Sequence, residues 1–162
     1  MSTFEDTPPA AEPEFGRVQS VDVHFEDLDP TGFLHNSRYS LLLEHAASAY
    51  WSEQGWHHDP ARSRFAGDSV MAVRAFEITY HFPVTEPGKV GVHLWIERIG
   101  RSSYTYGFRV ISLDGATVHA EGTRVQINLD PTTLTPATLS DEVRAAAQPL
   151  LRAPAQPPGE TA

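Results

Sequence analysis

Four stretches follow one another between Ser69 and Leu129: SVMAVRAFEITYHF, VGVHLWIERI, SYTYGFRVISL and TVHAEGTRVQINL. In each, apolar residues recur at alternate positions. A period of two sends successive side chains to opposite faces, the signature of a strand with one covered face. Glu86-Pro87-Gly88 and Asp114-Gly115 supply turns between them, and tight turns make neighbouring strands antiparallel. An earlier run, Arg17 to Phe25, alternates through Val18, Val21, Val23 and Phe25 with one slip. Five strands of this kind present an apolar face that another layer has to cover.

The cover is legible after Tyr39. Tyr39, Leu42, Leu43, Ala46 and Tyr50 fall at i, i+3, i+4, i+7 and i+11, one stripe of a helix running to about Gln54. Asn36 or Ser37 is the expected N-cap and Gly55 the expected stop. Ala46, Ala47 and Ala49 keep the helix thin, so a sheet can approach closely. A second, short helix is expected in LSDEVRAAAQPLL, capped by Ser140. The chain therefore reads as α+β, one long central helix against a curved antiparallel sheet of about five strands.

A chain of 162 residues is one domain's worth. Residues 1–15 and 152–162 are rich in Pro, Ala and acids and read as disordered tails flanking a single domain at 16–151. A formal charge of −9, from 21 acids against 12 bases, argues against nonspecific nucleic-acid binding. The absence of Cys excludes disulfides, a thiolate nucleophile and a zinc-thiolate site. No run of about 18 apolar residues and no basic, apolar leader is present, so a soluble cytoplasmic protein with no membrane partner is expected. WHHDP, Trp56 to Pro60, has no second ligand pair at a recognisable spacing, so no metal is expected. The absence of G-x-S-x-G excludes a serine-triad esterase of that type.

The stretch HFEDLDPTGFLHNSRY, His24 to Tyr39, links the first strand to the helix. Asp29-Pro30-Thr31-Gly32 fits a type I turn, and on that reading Asp29 only accepts backbone hydrogen bonds. The functional reading sets a carboxylate close to the free N–H groups and positive end of a helix. Those are the parts acyl transfer needs: a base or nucleophile, and donors for the oxyanion that develops. A thioester demands least else, because its thiolate leaves without a strong general acid.

VHFEDLDPTGFLHNSRYSLLLEHA resembles the signature of the hot-dog-fold acyl-CoA thioesterases of the 4-hydroxybenzoyl-CoA thioesterase type, in which strand 1 leads through D-x-D-x-x-G into the central helix. AVRAFEITYHFPVTEPGKVGVHLWIERIGRSSYTYGFRVI and HAEGTRVQINLDPTTLTPATL are similar to that family's later strands and turns. The resemblance spans about Arg17 to Val143.

The resemblance implies a hot-dog fold and hydrolysis of an acyl- or aryl-CoA. It makes Asp29, the second acid of D-x-D, the general base for water or a nucleophile forming a mixed anhydride. Asp27 is then structural. The oxyanion donor falls on the backbone N–H at about Asn36. Many members carry His at the helix start; Phe33 stands at the usual place, and His35 or Asn36 takes that role. Gly32, Phe33, Leu34 and Tyr39 are then substrate-binding: Phe33 and Leu34 suggest an apolar wall for the acyl group, and Tyr39 matches the family's helix tyrosine while lying on the core stripe. Glu44 is a conceivable second carboxylate. Arg98, Arg101 and Ser102 stand where relatives meet the CoA phosphates, with Arg74 and Arg124 as weaker candidates; ordinary surface arginines are the alternative. HFP, His81 to Pro83, matches a dehydratase motif only by coincidence. No cofactor is implied beyond the coenzyme A of the substrate, and the family implies a homodimer or homotetramer. The rival function is a hot-dog domain that binds acyl thioesters without hydrolysing them, or a hydratase. Gly32 and Leu34 occupy the positions where a hydratase His would fall.

Overall fold

The computed structural model describes residues 12–68 and 70–154. Five strands, β1 (Arg17–Val23), β2 (Met71–Tyr80), β3 (Gly88–Ile99), β4 (Ser103–Ile111) and β5 (Val118–Asn128), form one antiparallel sheet in the order β1-β3-β4-β5-β2. Helix α1 (Tyr39–Glu53) lies against one face, and α2 (Asp141–Ala147) follows the sheet. This is the α+β, hot-dog arrangement expected from the sequence. Residues 1–11 and 155–162, where most of the expected tails fall, lie outside the described residues.

The helical stripe is buried as the spacing predicts: Tyr39, Leu42, Leu43, Ala46 and Tyr50 all face the core, joined by Ala47. They pack into one cluster with Val92, Leu94 and Ile96 of β3 and Tyr106, Phe108 and Val110 of β4. Gly55, at φ +104, stops the helix just after Gln54. Ser140 caps α2, its hydroxyl accepting from the Val143 amide.

Three features depart from the alternation. Phe25 does not continue β1; the strand ends at Val23 and Phe25 opens a 3₁₀ turn with its side chain 80% exposed. β3 is buried on both faces from Val90 to Ile96. Its outer face is covered by Phe15 and Arg152: Phe15 packs edge-on against Trp95 at 5.2 Å, His93 Nε2 donates to the Phe15 carbonyl at 2.7 Å, and the Arg152 guanidinium sits 4.4 Å from the Phe15 ring. β2, an edge of the sheet, is mostly exposed along its length, with Val73, Phe76 and Tyr80 among its open apolar residues.

Candidate active site

β1 ends beside the start of β3, where Val23 pairs with Gly88. There the chain turns through Phe25–Asp27, and an isolated antiparallel bridge joins Leu28 to Leu34. Its hydrogen bonds run from the His35 amide to the Asp27 carbonyl (2.9 Å) and from the Asp29 amide to the Phe33 carbonyl (2.7 Å). The loop is thereby folded back on itself, with residues 27–29 held beside 33–35. The turn between them closes through the Gly32 amide on the Asp29 carbonyl (2.9 Å), and Gly32 adopts φ +83, a conformation glycine reaches without a Cβ penalty. The Leu34 amide is anchored on Val84, next to β3.

Asp27 holds this loop, as the sequence suggested. Its carboxylate accepts from the His24 amide (2.8 Å) and lies 3.5 Å from Arg38. Asp29 divides its work. One oxygen, Oδ1, accepts from the Thr31 hydroxyl (2.5 Å), the Thr31 amide (2.8 Å) and the Phe33 amide (3.1 Å). The other, Oδ2, has no hydrogen-bond partner among the described residues. The Thr31 hydroxyl, then the two amides, hold the Asp29 carboxyl below the usual carboxylate range, with His35 adding a smaller pull in the same direction. Asp29 is therefore an ionised carboxylate whose Oδ2 is unclaimed.

The helical stretch begins with a 3₁₀ turn, Asn36–Arg38, that runs into α1. Its cap is His35, where Asn36 or Ser37 was expected: His35 Nδ1 accepts from the Ser37 amide at 3.1 Å. The Arg38 amide is taken by the His35 carbonyl. Among the described residues the Asn36 amide is the one between Leu34 and Arg38 with no acceptor. It is an unused donor at the positive end of the helix.

Asp29, Phe33, Leu34, His35, Asn36 and Tyr39 line one cleft of about 410 Å³. Leu34 and Tyr39 are nearly buried beneath it, while Phe33 stays open. The opposite wall comes from the end of β2 and the residues after it, Tyr80, His81, Phe82 and Pro83. Tyr80 ties the walls together: its hydroxyl donates to the Asn36 carbonyl at 3.2 Å and its ring meets Tyr39 edge-on at 5.0 Å. Sequence reasoning did not assign these residues to the site. Tyr80 ends an alternating strand, but nothing local says which loop that strand end will meet.

The remaining candidates lie elsewhere. Arg98, Arg101 and Ser102 sit at the β3–β4 turn, and β3, with 12 residues rising roughly 3.3 Å each, separates that turn from the loop by most of the sheet's length. There Arg144 donates to the Gly100 and Arg101 carbonyls, and Arg101 Nε reaches Thr138. Arg124 is buried and bonded to Glu44 at 2.6 Å, so the Glu44 carboxylate is engaged as a partner of that guanidinium. His57 and His58 stack on each other, and no group of three or more His, Asp or Glu suited to a metal occurs among the described residues.

A carboxylate with a free oxygen, set in a cleft with an unused helix amide, can activate water or attack a carbonyl while a donor awaits the oxyanion. Solved structures share the whole architecture. A Pseudomonas aeruginosa protein superposes with a TM-score of 0.72 at 22% identity, over 89% of this chain and 97% of that one. A Thermus thermophilus thioesterase, solved with coenzyme A and Zn, gives 0.66 at 25% identity over 81% and 96%. A Staphylococcus aureus DHNA-CoA thioesterase gives 0.70 at 19% over 81% and 87%. No curated protein matches the chain in sequence. The family profile described as the thioesterase-like superfamily matches residues 23–147, most of the chain, and the protein belongs to that superfamily.

Proposed function

We propose that the protein is an acyl-CoA thioesterase of the 4-hydroxybenzoyl-CoA thioesterase type, hydrolysing an acyl- or aryl-CoA to the free acid and CoA. The observation that carries this reading is the pair of unclaimed polar groups in one cleft, Asp29 Oδ2 and the Asn36 amide. The likeness to a thioesterase solved with coenzyme A supports the substrate class.

With Asp29 as base, Oδ2 takes a proton from water as the water oxygen attacks the thioester carbonyl. The Asn36 N–H receives the oxyanion, the C–S bond breaks, and CoA leaves as a thiolate that is then protonated. With Asp29 as nucleophile, Oδ2 itself attacks, CoA leaves, and water cleaves the resulting anhydride. Either route needs an ionised carboxylate and no cofactor beyond the substrate's own CoA. Phe33, Leu34 and Tyr39 form the apolar wall for the acyl group, Gly32 keeps the loop closed, and His35 fixes the helix start. In this reading the protein works as a homodimer or homotetramer. Arg98, Arg101 and Ser102 then meet the CoA phosphates from a second copy, and the exposed edge of β2 is where copies join. No described helix is long and apolar enough to cross a membrane, and the cytoplasm, where acyl-CoAs are made and used, is the proposed location.

The test is steady-state thiol release from short, long and aryl acyl-CoAs by wild type and Asp29→Asn. Asparagine Oδ1 can keep all three hydrogen bonds of the turn, so the fold should survive while kcat falls about a hundredfold or more. Equal turnover by the variant removes Asp29 from the chemistry. No turnover by wild type on any of these thioesters moves the reading to a binding domain.

A further inference from the structure

The far wall of the Asp29 cleft lies beyond regular structure. β2 ends at Tyr80, paired with Ala120 of β5, and the wall continues through His81, Phe82 and Pro83. Pro83 has no N–H to give, so the ladder cannot run on through it. Phe82 is 58% exposed, and packing alone does not hold it. Its place depends on where the backbone hydrogen bonds of this stretch go.

They converge on one residue. The His81 and Phe82 amides both donate to the His119 carbonyl, at 2.8 and 3.1 Å. In return His119 Nδ1 lies 3.0 Å from the Phe82 carbonyl, and since a carbonyl only accepts, Nδ1 carries the proton. Among the described residues, the backbone of 81–83 makes no other hydrogen bond. The His81 ring has a second contact, 3.4 Å from Glu121, so Phe82 is the residue that depends on His119 most. The next anchor is Val84, buried in the core, whose carbonyl accepts from the Leu34 amide at 2.8 Å. His119 is itself half-buried on β5 and is not among the residues lining the cleft.

The two anchors differ in what they reach. Val84 is joined through Leu34 to the loop that carries Asp29, whereas Phe82 belongs to the wall across the cleft from Phe33 and Tyr39. On the acyl-thioester reading of the cleft, on which this inference rests, that wall borders the acyl group. We propose that His119 is a positioning residue for the acyl group: by donating to the Phe82 carbonyl it holds the far wall at the width the substrate needs, and it takes no part in the chemistry. A contact of this kind is equally strong in the ground state and the transition state, so its loss falls on KM and leaves kcat.

Thiol release from acetyl-, palmitoyl- and benzoyl-CoA by the full chain tests this in two variants. His119→Leu keeps bulk beside the Phe82 ring, 6.3 Å from the imidazole, but has no donor; His119→Ala replaces it should it not fold. His119→Asn keeps a donor, Nδ2, at the position of Nδ1. On the best of the three thioesters His119→Leu should raise KM about fivefold or more with kcat within about twofold, and His119→Asn should return KM to within about twofold of wild type. Calorimetric titration of Asp29→Asn, with and without His119→Leu, by the same thioesters reads affinity without turnover and should show the same loss. If wild type hydrolyses none of them and this loss of affinity is present, the hydrolytic reading falls and the role of His119 stands. Unchanged KM and affinity in His119→Leu, a fall in kcat in place of a rise in KM, His119→Asn behaving like His119→Leu, or no binding of any of the three overturns the proposal.

Discussion

Gly122 couples the sheet to the cleft, and replacing it with alanine is a demanding test of how the two are joined. Gly122 lies on β5 opposite Ile78 of β2. A Cβ built there would stand 1.9 Å from the Glu77 carbonyl oxygen and 2.9 Å from Ile78 Cα. Real Cβ atoms essentially never come within 3.0 Å, so β2 or β5 must give by 3.0 − 1.9 = 1.1 Å, and the obstacle is backbone that no rotamer change can relieve. β2 is an edge of the sheet within one copy, so relief comes from β2 shifting outward, against the second copy where copies join there. Doing so disrupts two or three ladder hydrogen bonds, at about 1 kcal/mol each, and loosens a Phe76–Phe108 stack worth about another 1 kcal/mol. The stack has its rings 5.7 Å apart. The sum is about 3–4 kcal/mol, or roughly 10 °C in Tm for a chain of this size. Three residues beyond Glu77 is Tyr80, whose hydroxyl reaches the Asn36 carbonyl, so the cleft wall moves with the strand. Urea unfolding followed by circular dichroism gives the stability loss, and thiol release from the best acyl-CoA, measured where the variant is folded, should show a raised KM. An unfolding free energy within about 0.5 kcal/mol of wild type would refute the claim that this backbone approach is rigid.

Two further changes probe the loop and the core. Thr31→Val deletes the hydroxyl that contributes most to holding the Asp29 carboxyl low. A group with a depressed pKa is ionised above that pKa and loses function as pH falls through it, so the acid limb of kcat/KM in wild type lies below the ordinary carboxylate value of about 3.9, and the variant's limb moves up toward it. A limb that stays in place in the pH–rate profile counts against Asp29 as the titrating group. Leu43→Ala opens a cavity at a fully buried position of α1 and should cost about 3–5 kcal/mol by denaturant melt; a loss below about 1 kcal/mol would mean that the helix settles onto the sheet and closes the gap.

The sheet and the main helix were legible because their signals are periodic and local. Tyr39, Leu42, Leu43, Ala46 and Tyr50 are buried because a helix against a sheet buries one stripe, and no distant information is needed to say so. The departures come from residues far apart in sequence. β3 alternates like its neighbours, yet it is covered on both faces because Phe15 and Arg152, far from it in sequence, pack against it. Phe25 continues an alternating pattern that the chain abandons at Val23, where Asp27 pulls His24 into a turn. In the site, Asp29 and the helix start were marked by turn chemistry and by resemblance, while Tyr80, His81 and Phe82 were not, since only the pairing of β2 with β5 brings that strand end to the helix. Arg98, Arg101 and Ser102 sit on the expected turn, at the end of the sheet away from Asp29.

The displaced cap carries a consequence for the chemistry of the cleft. Asn36 has the side chain usually favoured at a cap, and as the cap it would stand outside the helix, leaving the first helical amides to Ser37 and Arg38. With His35 in that position, Asn36 becomes the first helical residue and its N–H joins the amides at the helix terminus. The imidazole takes the Ser37 amide and the His35 carbonyl takes Arg38. The same economy governs the carboxylate, where Thr31 and Phe33 saturate one oxygen of Asp29 and leave the second. The hydrogen bonds that shape the loop thus engage most of the donors around it, and they leave one charged acceptor, Asp29 Oδ2, and one donor at a helix end, the Asn36 amide, in the same cleft. A loop with looser turn chemistry would leave more groups free, but none would be held still, and a donor that must reorganise as the oxyanion forms loses much of its worth.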